Sequence, residues 1–100
     1  MTTVVYIYPG SGRFRGGEYE WSGPLPGGKH DFMLFMRQEE SAPLQKEALT
    51  EIGRYGFVDV RFIAQGRLIN VEMLNTSELS QFRRNYEDAL RDGASMAWYP

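Results

Sequence analysis

One histidine, no cysteine and thirteen carboxylates frame the chemistry open to this chain of 100 residues. His30 stands between Lys29 and Asp31, where a carboxylate could orient an imidazole for general acid–base work. A lone histidine at the entrance to a strand serves structure more often than catalysis. It has no second histidine, thiolate or carboxylate pair at ligand spacing to complete a metal site. No serine lies in a GxSxG-type turn. No catalytic residue, metal or cofactor is therefore expected. The other constellation is GRFRGGEYEW, Gly12 to Trp21, which combines Arg13 and Arg15 with Phe14, Tyr19 and Trp21. Such an arm could stack on a nucleic acid or grip a protein partner. Glu18 and Glu20 offset both arginines, so the plainer role for the aromatics is to pack on their own domain or on a dimer mate. The GSG and GG runs make no phosphate loop, because no Gly-Lys-Ser/Thr follows and no helix begins at their end.

Composition bounds the class. Hydrophobic residues at 42% and charged residues at 24% suit a globular domain and not a disordered chain. One domain over residues 1–100 can bury a core without staples. A net charge of −2 and a pI near 5.4 argue against broad attraction to nucleic acid or anionic lipid. No apolar run approaches the roughly 18 residues of a membrane span, and Met1 to Pro9 lacks a basic leader region. With cysteine absent as well, a cytoplasmic location is expected.

The elements that must position these residues follow from period and punctuation. Thr3 to Tyr8 reads as a strand stopped by Pro9-Gly10. Residues 9 to 31 hold seven of the eleven glycines and read as a projecting arm, with a short extra strand at Glu18 to Trp21. Phe32 to Met36, FMLFM, has lost alternation and reads as a central strand covered on both faces. A helix capped by Ser41, with Pro43 in its first turn, should run through Leu44, Ala48, Ile52 and Tyr55 to Gly56. FVDVRFIAQGRLINVEML, Phe57 to Leu74, reads as a hairpin turning at Gln65-Gly66. Phe62 would face Ile69, Val60 face Val71 and Val58 face Met73. The same register makes Asp59 and Glu72 like-charged neighbours, with Arg61 diagonal to them. A second helix capped by Asn75 or Thr76 carries Leu79, Phe82, Tyr86 and Ala89-Leu90, with Arg83–Glu87, Arg84–Asp88 and Glu87–Arg91 as wet-side pairs. Gly93 ends it, and Met96 to Tyr99 is the last strand.

From Phe32 onward this order is βαββαβ, which right-handed crossovers turn into a ferredoxin-like α+β sandwich with both helices on one face of an antiparallel sheet. RYGFVDVRF, Arg54 to Phe62, resembles the aromatic RNA-binding strand of RRM domains, which in that family is the third strand. Here it falls on the second strand of the βαββαβ order, and RLINVEML after it has no aromatic residue, so core packing explains it better and nucleic acid is not expected. The topology also resembles the dimeric α+β barrels, in which two sheets pack face to face. On this reading Met33 and Phe35 lie on an open sheet face that the arm or a second subunit must cover. The expected function is a non-catalytic interaction module, a homodimer or binder of a protein partner. Its contact residues would be Arg13, Phe14, Arg15, Tyr19, Trp21, His30, Met33 and Phe35. The alternative is a small enzyme or small-molecule-binding protein with a pocket between sheet and arm, lined by Tyr6, Tyr8, Trp21 and Phe35 with His30 at its rim.

Overall fold

Strand β1, Val4–Phe14, runs straight through Pro9-Gly10 and becomes the strand on which the sheet is built. The computed structural model describes residues 3–76 and 78–100; Met1, Thr2 and Ser77 lie outside them. β1 pairs antiparallel with β2 (Lys29–Gln38) along its length. Its other edge meets β3 (Phe57–Phe62) at one end and β4 (Arg67–Ile69) at the other. β5 (Ala94–Trp98) lies outside β2, so the order is β3-β1-β2-β5 with β4 beside β1. The class is α+β, a five-stranded antiparallel sheet with two helices. β2 is interior, as its composition requires.

The expected hairpin is absent. β3 and β4 do not pair with each other but follow one another along β1: Phe57 lies opposite Phe14, Phe62 opposite Gly10, Arg67 opposite Ile7 and Ile69 opposite Val5. Residues 63–66 bow out and return to the same line. Pro9 explains the break. Its carbonyl accepts the Ile63 N–H at 2.9 Å, so residue 9 turns its polar groups toward this edge, where proline has no N–H to offer. The neighbouring strand leaves just there. Asp59 and Glu72 are consequently not neighbours. Asp59 sits at a bulge with φ 54°, a left-handed conformation that aspartate tolerates, and its carboxylate lies 3.1 Å from Arg13. Glu72 belongs to a turn beyond β4.

Helix α1, Gln45–Tyr55, ends at Gly56 in the left-handed conformation, and α2, Arg83–Asp92, ends likewise at Gly93. Both stops are the expected ones; both starts are later. Pro43 disfavours helical backbone at Ala42, leaving Ser41 in a loop. Ahead of α2, Thr76 donates its hydroxyl to the Met73 carbonyl (2.9 Å) and Asn75 accepts from Arg83 (2.9 Å), holding two single 3-10 turns, Met73–Asn75 and Ser80–Phe82. In place of the expected i,i+4 pairs, Arg91 joins Asp88 (3.0 Å) and Asp92 (2.9 Å).

The two helices cover opposite faces of the sheet, not one. Alternation along β1 and β2 sends Tyr6, Tyr8, Phe32 and Leu34 to Ala48, Ile52 and Tyr55 of α1. It sends Val5, Ile7 and Phe35 to Phe82 and Ala89 on the α2 side, with Ile69 and Leu74. FMLFM is thus apolar on both faces because each face carries its own helix. The cover over Phe35 is neither the arm nor a second subunit.

A buried polar node organises the loop from β2 to α1. The Tyr8 hydroxyl donates to Gln38 Oε1 (2.6 Å) and accepts the Leu44 N–H (3.0 Å). The Gln38 amide donates to the carbonyls of Glu40 and Ala42, each at 2.7 Å. Burial raises the Tyr8 pKa above its ordinary value. Tyr8→Phe would strand both the Gln38 oxygen and the Leu44 N–H, each uncompensated group costing about 1–3 kcal/mol. The variant is expected to lose at least about 2 kcal/mol in urea denaturation with an unchanged slope, whereas a loss within ~0.5 kcal/mol would show that the node carries little.

Candidate functional site

The arm is a strap lying flat on the domain, without the short strand expected at Glu18 to Trp21. Its root closes through Phe14 N–H to Gly28 O (2.9 Å) and Gly27 N–H to Phe14 O (2.8 Å). It then crosses the end of α1. Arg15 N–H donates to Gly56 O (2.7 Å) and Tyr19 N–H to Arg54 O (3.2 Å), satisfying helix-end carbonyls. The approach is backbone to backbone. A Cβ on Gly17 would fall 2.5 Å from Arg54 O and 2.8 Å from Gly56 N.

The strap aromatics are held at both ends of their side chains. Trp21 donates its indole N–H to Tyr55 O (2.9 Å), with Tyr55 at 5.2 Å and Phe14 at 6.0 Å in edge-on contact. Tyr19 packs edge-on to Tyr55 at 4.7 Å, lies under the Arg54 guanidinium at 4.8 Å, and donates a short hydrogen bond to Glu51. Glu18 accepts from Arg54 at 3.1 Å, and Ser22 O accepts the Trp98 indole N–H at 2.8 Å.

Desolvation, then the bond to Glu51, pushes the Tyr19 phenol up to about 12 from its ordinary 10.0. Tyr8, Tyr55 and Tyr99 are also raised, each chiefly by burial. A raised folded pKa means that the native chain holds protons which the unfolded chain releases first. This stabilisation is therefore complete below pH 10 and is lost as pH rises through about 12. Urea midpoints between pH 8 and 12 are expected to fall steeply above about 10, and less steeply in Tyr19→Phe; a flat alkaline limb would contradict a stabilising Tyr19–Glu51 bond.

Between the strap and α2 runs an open groove of about 520 Å³. Tyr19 to Ser22 with Glu51 and Tyr55 of α1 form one wall; Arg84, Asn85, Asp88 and Asp92 of α2 form the other; Ala94 to Met96 of β5 are the floor. Asn85 is anchored to this floor by its Nδ2, 3.0 Å from Ser95 Oγ. β5 is an edge strand, and its hydrogen-bond phase is legible from its two ends. Arg37 N–H donates to Gly93 O and Tyr99 N–H to Asp31 O, both at 2.9 Å. Odd-numbered residues from 93 to 99 therefore turn their polar groups to β2, and Ala94, Met96 and Trp98 turn theirs outward. Ala94, half-buried, and Met96, buried, both belong to the groove lining, so their outward groups lie on its side of the strand.

Of the expected contact residues, Tyr19 and Trp21 line this groove and the other six do not. Arg13 is exposed and paired with Asp59. Phe14 and Phe35 are core. Arg15 contributes its backbone to the strap root. His30 Nδ1 lies 2.9 Å from Tyr99 O, which can only accept, so that nitrogen carries the proton; the ring stands edge-on to Trp98 at 5.1 Å. Met33 borders a separate cavity of about 170 Å³ beneath the 63–66 bow, with Ile7, Pro9 and Leu79. A pocket between Tyr6, Tyr8 and Phe35 does not exist, because all three are buried in the two cores. Glu51, Tyr55, Asn85 and Ser95 were missed. Asn85, mid-helix among good helix formers, is the one that left a signal in the sequence.

No protein-family model matches this chain, and comparison with curated proteins and with solved structures likewise returned no significant match. No helix among the described residues is long and apolar enough to cross a membrane.

Proposed function

We propose that this protein is a non-catalytic interaction module and that its partner, another protein chain, docks in the groove along β5. The supporting observation is the fixation of Tyr19 and Trp21 before any partner arrives: polar atoms of both are hydrogen-bonded to α1, and both rings pack edge-on against Tyr55. Immobile aromatics offer contact area at small entropic cost, which is what binding surfaces select them for. The single histidine is engaged with Tyr99, outside the groove lining, so the groove has no imidazole to work with. A sheet-face contact between two copies gains no support, since α2 occupies the face on which it was expected.

Glu20→Arg combined with Arg84→Glu reverses one exposed charge on each wall and leaves the core untouched. Cross-linked capture from the native host is expected to retain proteins with the wild type that the double variant loses. Equal recovery by both, or a stable dimer indifferent to the change, would place the partner surface elsewhere. A metabolite that raises the wild-type Tm by several degrees and not the variant's would replace this reading with a small-ligand pocket.

A further inference from the structure

We propose that the groove takes an extended, basic peptide segment as an added strand against β5; this rests on the interaction reading above and names the chemistry of the partner. Three observations converge on it. The floor presents the outward N–H and C=O groups of Ala94 and Met96, spaced as one strand requires of the next. The walls rise on both sides of that edge, so alternate side chains of an added strand would meet Tyr19 and Trp21 on one side and Arg84 and Asp88 on the other. The lining carries four carboxylates, Glu20, Glu51, Asp88 and Asp92, against one guanidinium, Arg84. Asp88 and Asp92 share Arg91, and Glu51 shares Arg54, but Glu20 has no ion pair among the described residues. Lysine or arginine in the segment would complete this set. A second copy does not fit. Its β5 is recessed between the same walls, and two walled edges cannot approach to hydrogen-bonding distance, whereas a single segment can.

The probe is the capped peptide Lys-Thr-Lys-Val-Lys-Thr-Lys with the whole chain. Saturating peptide is expected to slow amide exchange at Ala94 and Met96 by about tenfold or more, and to leave Ser95 and Ala97, which already face β2, nearly unchanged. Two versions N-methylated on alternate residues should differ, because only one set of N–H groups faces β5. One version is expected to bind like the parent and the other at least about tenfold more weakly. The Glu-Thr-Glu-Val-Glu-Thr-Glu counterpart and the Glu20→Arg protein should each lose about as much. Equal binding of the two methylated peptides, or unchanged exchange at Ala94 and Met96, would overturn strand addition. Binding of the glutamate peptide as tightly as the lysine peptide would overturn the basic partner. If no peptide binds, strand addition is wrong, and the interaction reading is then judged separately by whether the double wall variant loses the captured host protein.

Discussion

Phe35→Asp is expected to abolish the cooperative fold. Phe35 is 0% exposed, its ring centroid lies 5.6 Å from that of Phe82, and its neighbours Val5, Ile7, Ile69 and Ala89 offer a carboxylate nothing. Losing the ring costs about 3–5 kcal/mol, and the unpaired charge adds several more, against a stability of about 5–15 kcal/mol for a domain of this size. Heat and urea should give no sharp transition, and near-ultraviolet circular dichroism should collapse. The experiment discriminates between architectures. On an open or dimer-covered sheet face the same change would leave a folded monomer, and such a monomer with a sharp transition would contradict the helix over Phe35.

Gly17→Val is expected to detach the strap while sparing the sheet. The new side chain would meet the backbone of Arg54 and Gly56, which cannot swing aside as a side-chain tip could. Overpacking of this kind costs about 1–3 kcal/mol. The loss should be seen as red-shifted tryptophan emission, because the indole nitrogens of both Trp21 and Trp98 are tied to or through the strap. Gly53→Ala is the control. A Cβ there meets nothing within 4 Å, and replacing a helical glycine should stabilise by about 0.5–1 kcal/mol. A Gly17→Val protein with wild-type emission and Tm would show that the strap does not depend on this contact.

What could be read in the sequence was periodicity, and what could not was pairing. The glycine stops at 56 and 93, the interior position of FMLFM and the apolar stripe of α1 are local signals, and the structure follows them. Of the stripe expected for the second helix, Ala89 is buried within α2, Phe82 is buried just ahead of it, and Leu90 is exposed. The hairpin over Phe57 to Leu74 satisfied every alternation test and was still wrong. Alternation reports which face a side chain takes, and a strand folded back on itself yields the same apolar pattern as two halves laid end to end along a third strand. The deciding residue, Pro9, lies about fifty positions away in sequence. It was read as a stop for its own strand, when its missing N–H interrupts the neighbouring one. The placement of α2 was lost for a related reason: βαββαβ order suggests helices on one face, but β1 occupies the place beside β2 that β4 was expected to take. The site was legible in part. Tyr19 and Trp21 stood out as aromatics too apolar to leave in water; the opposite wall did not, because Arg84 comes to line the same groove, and Asn85 to reach Ser95, only through the fold.

The bow at residues 63–66 bears on how the molecule behaves when crowded. Between Phe62 and Arg67 the chain takes five steps while β1 takes three from Gly10 to Ile7, so the bow holds two residues more than a continuous strand would. Together with the bulge at Asp59 it cuts the outer edge of β3 and β4 into short pieces out of line with one another. Neither margin of the sheet is then a long flat template: one is broken, and the other is sunk between the strap and α2. Such margins are how natural sheets avoid stacking edge to edge into fibres. Removal of two residues from the bow would bring β3 and β4 into one line, with only the Asp59 bulge and the missing Pro9 N–H left to interrupt that edge. Such a chain is expected to aggregate more readily when concentrated, as light scattering would show.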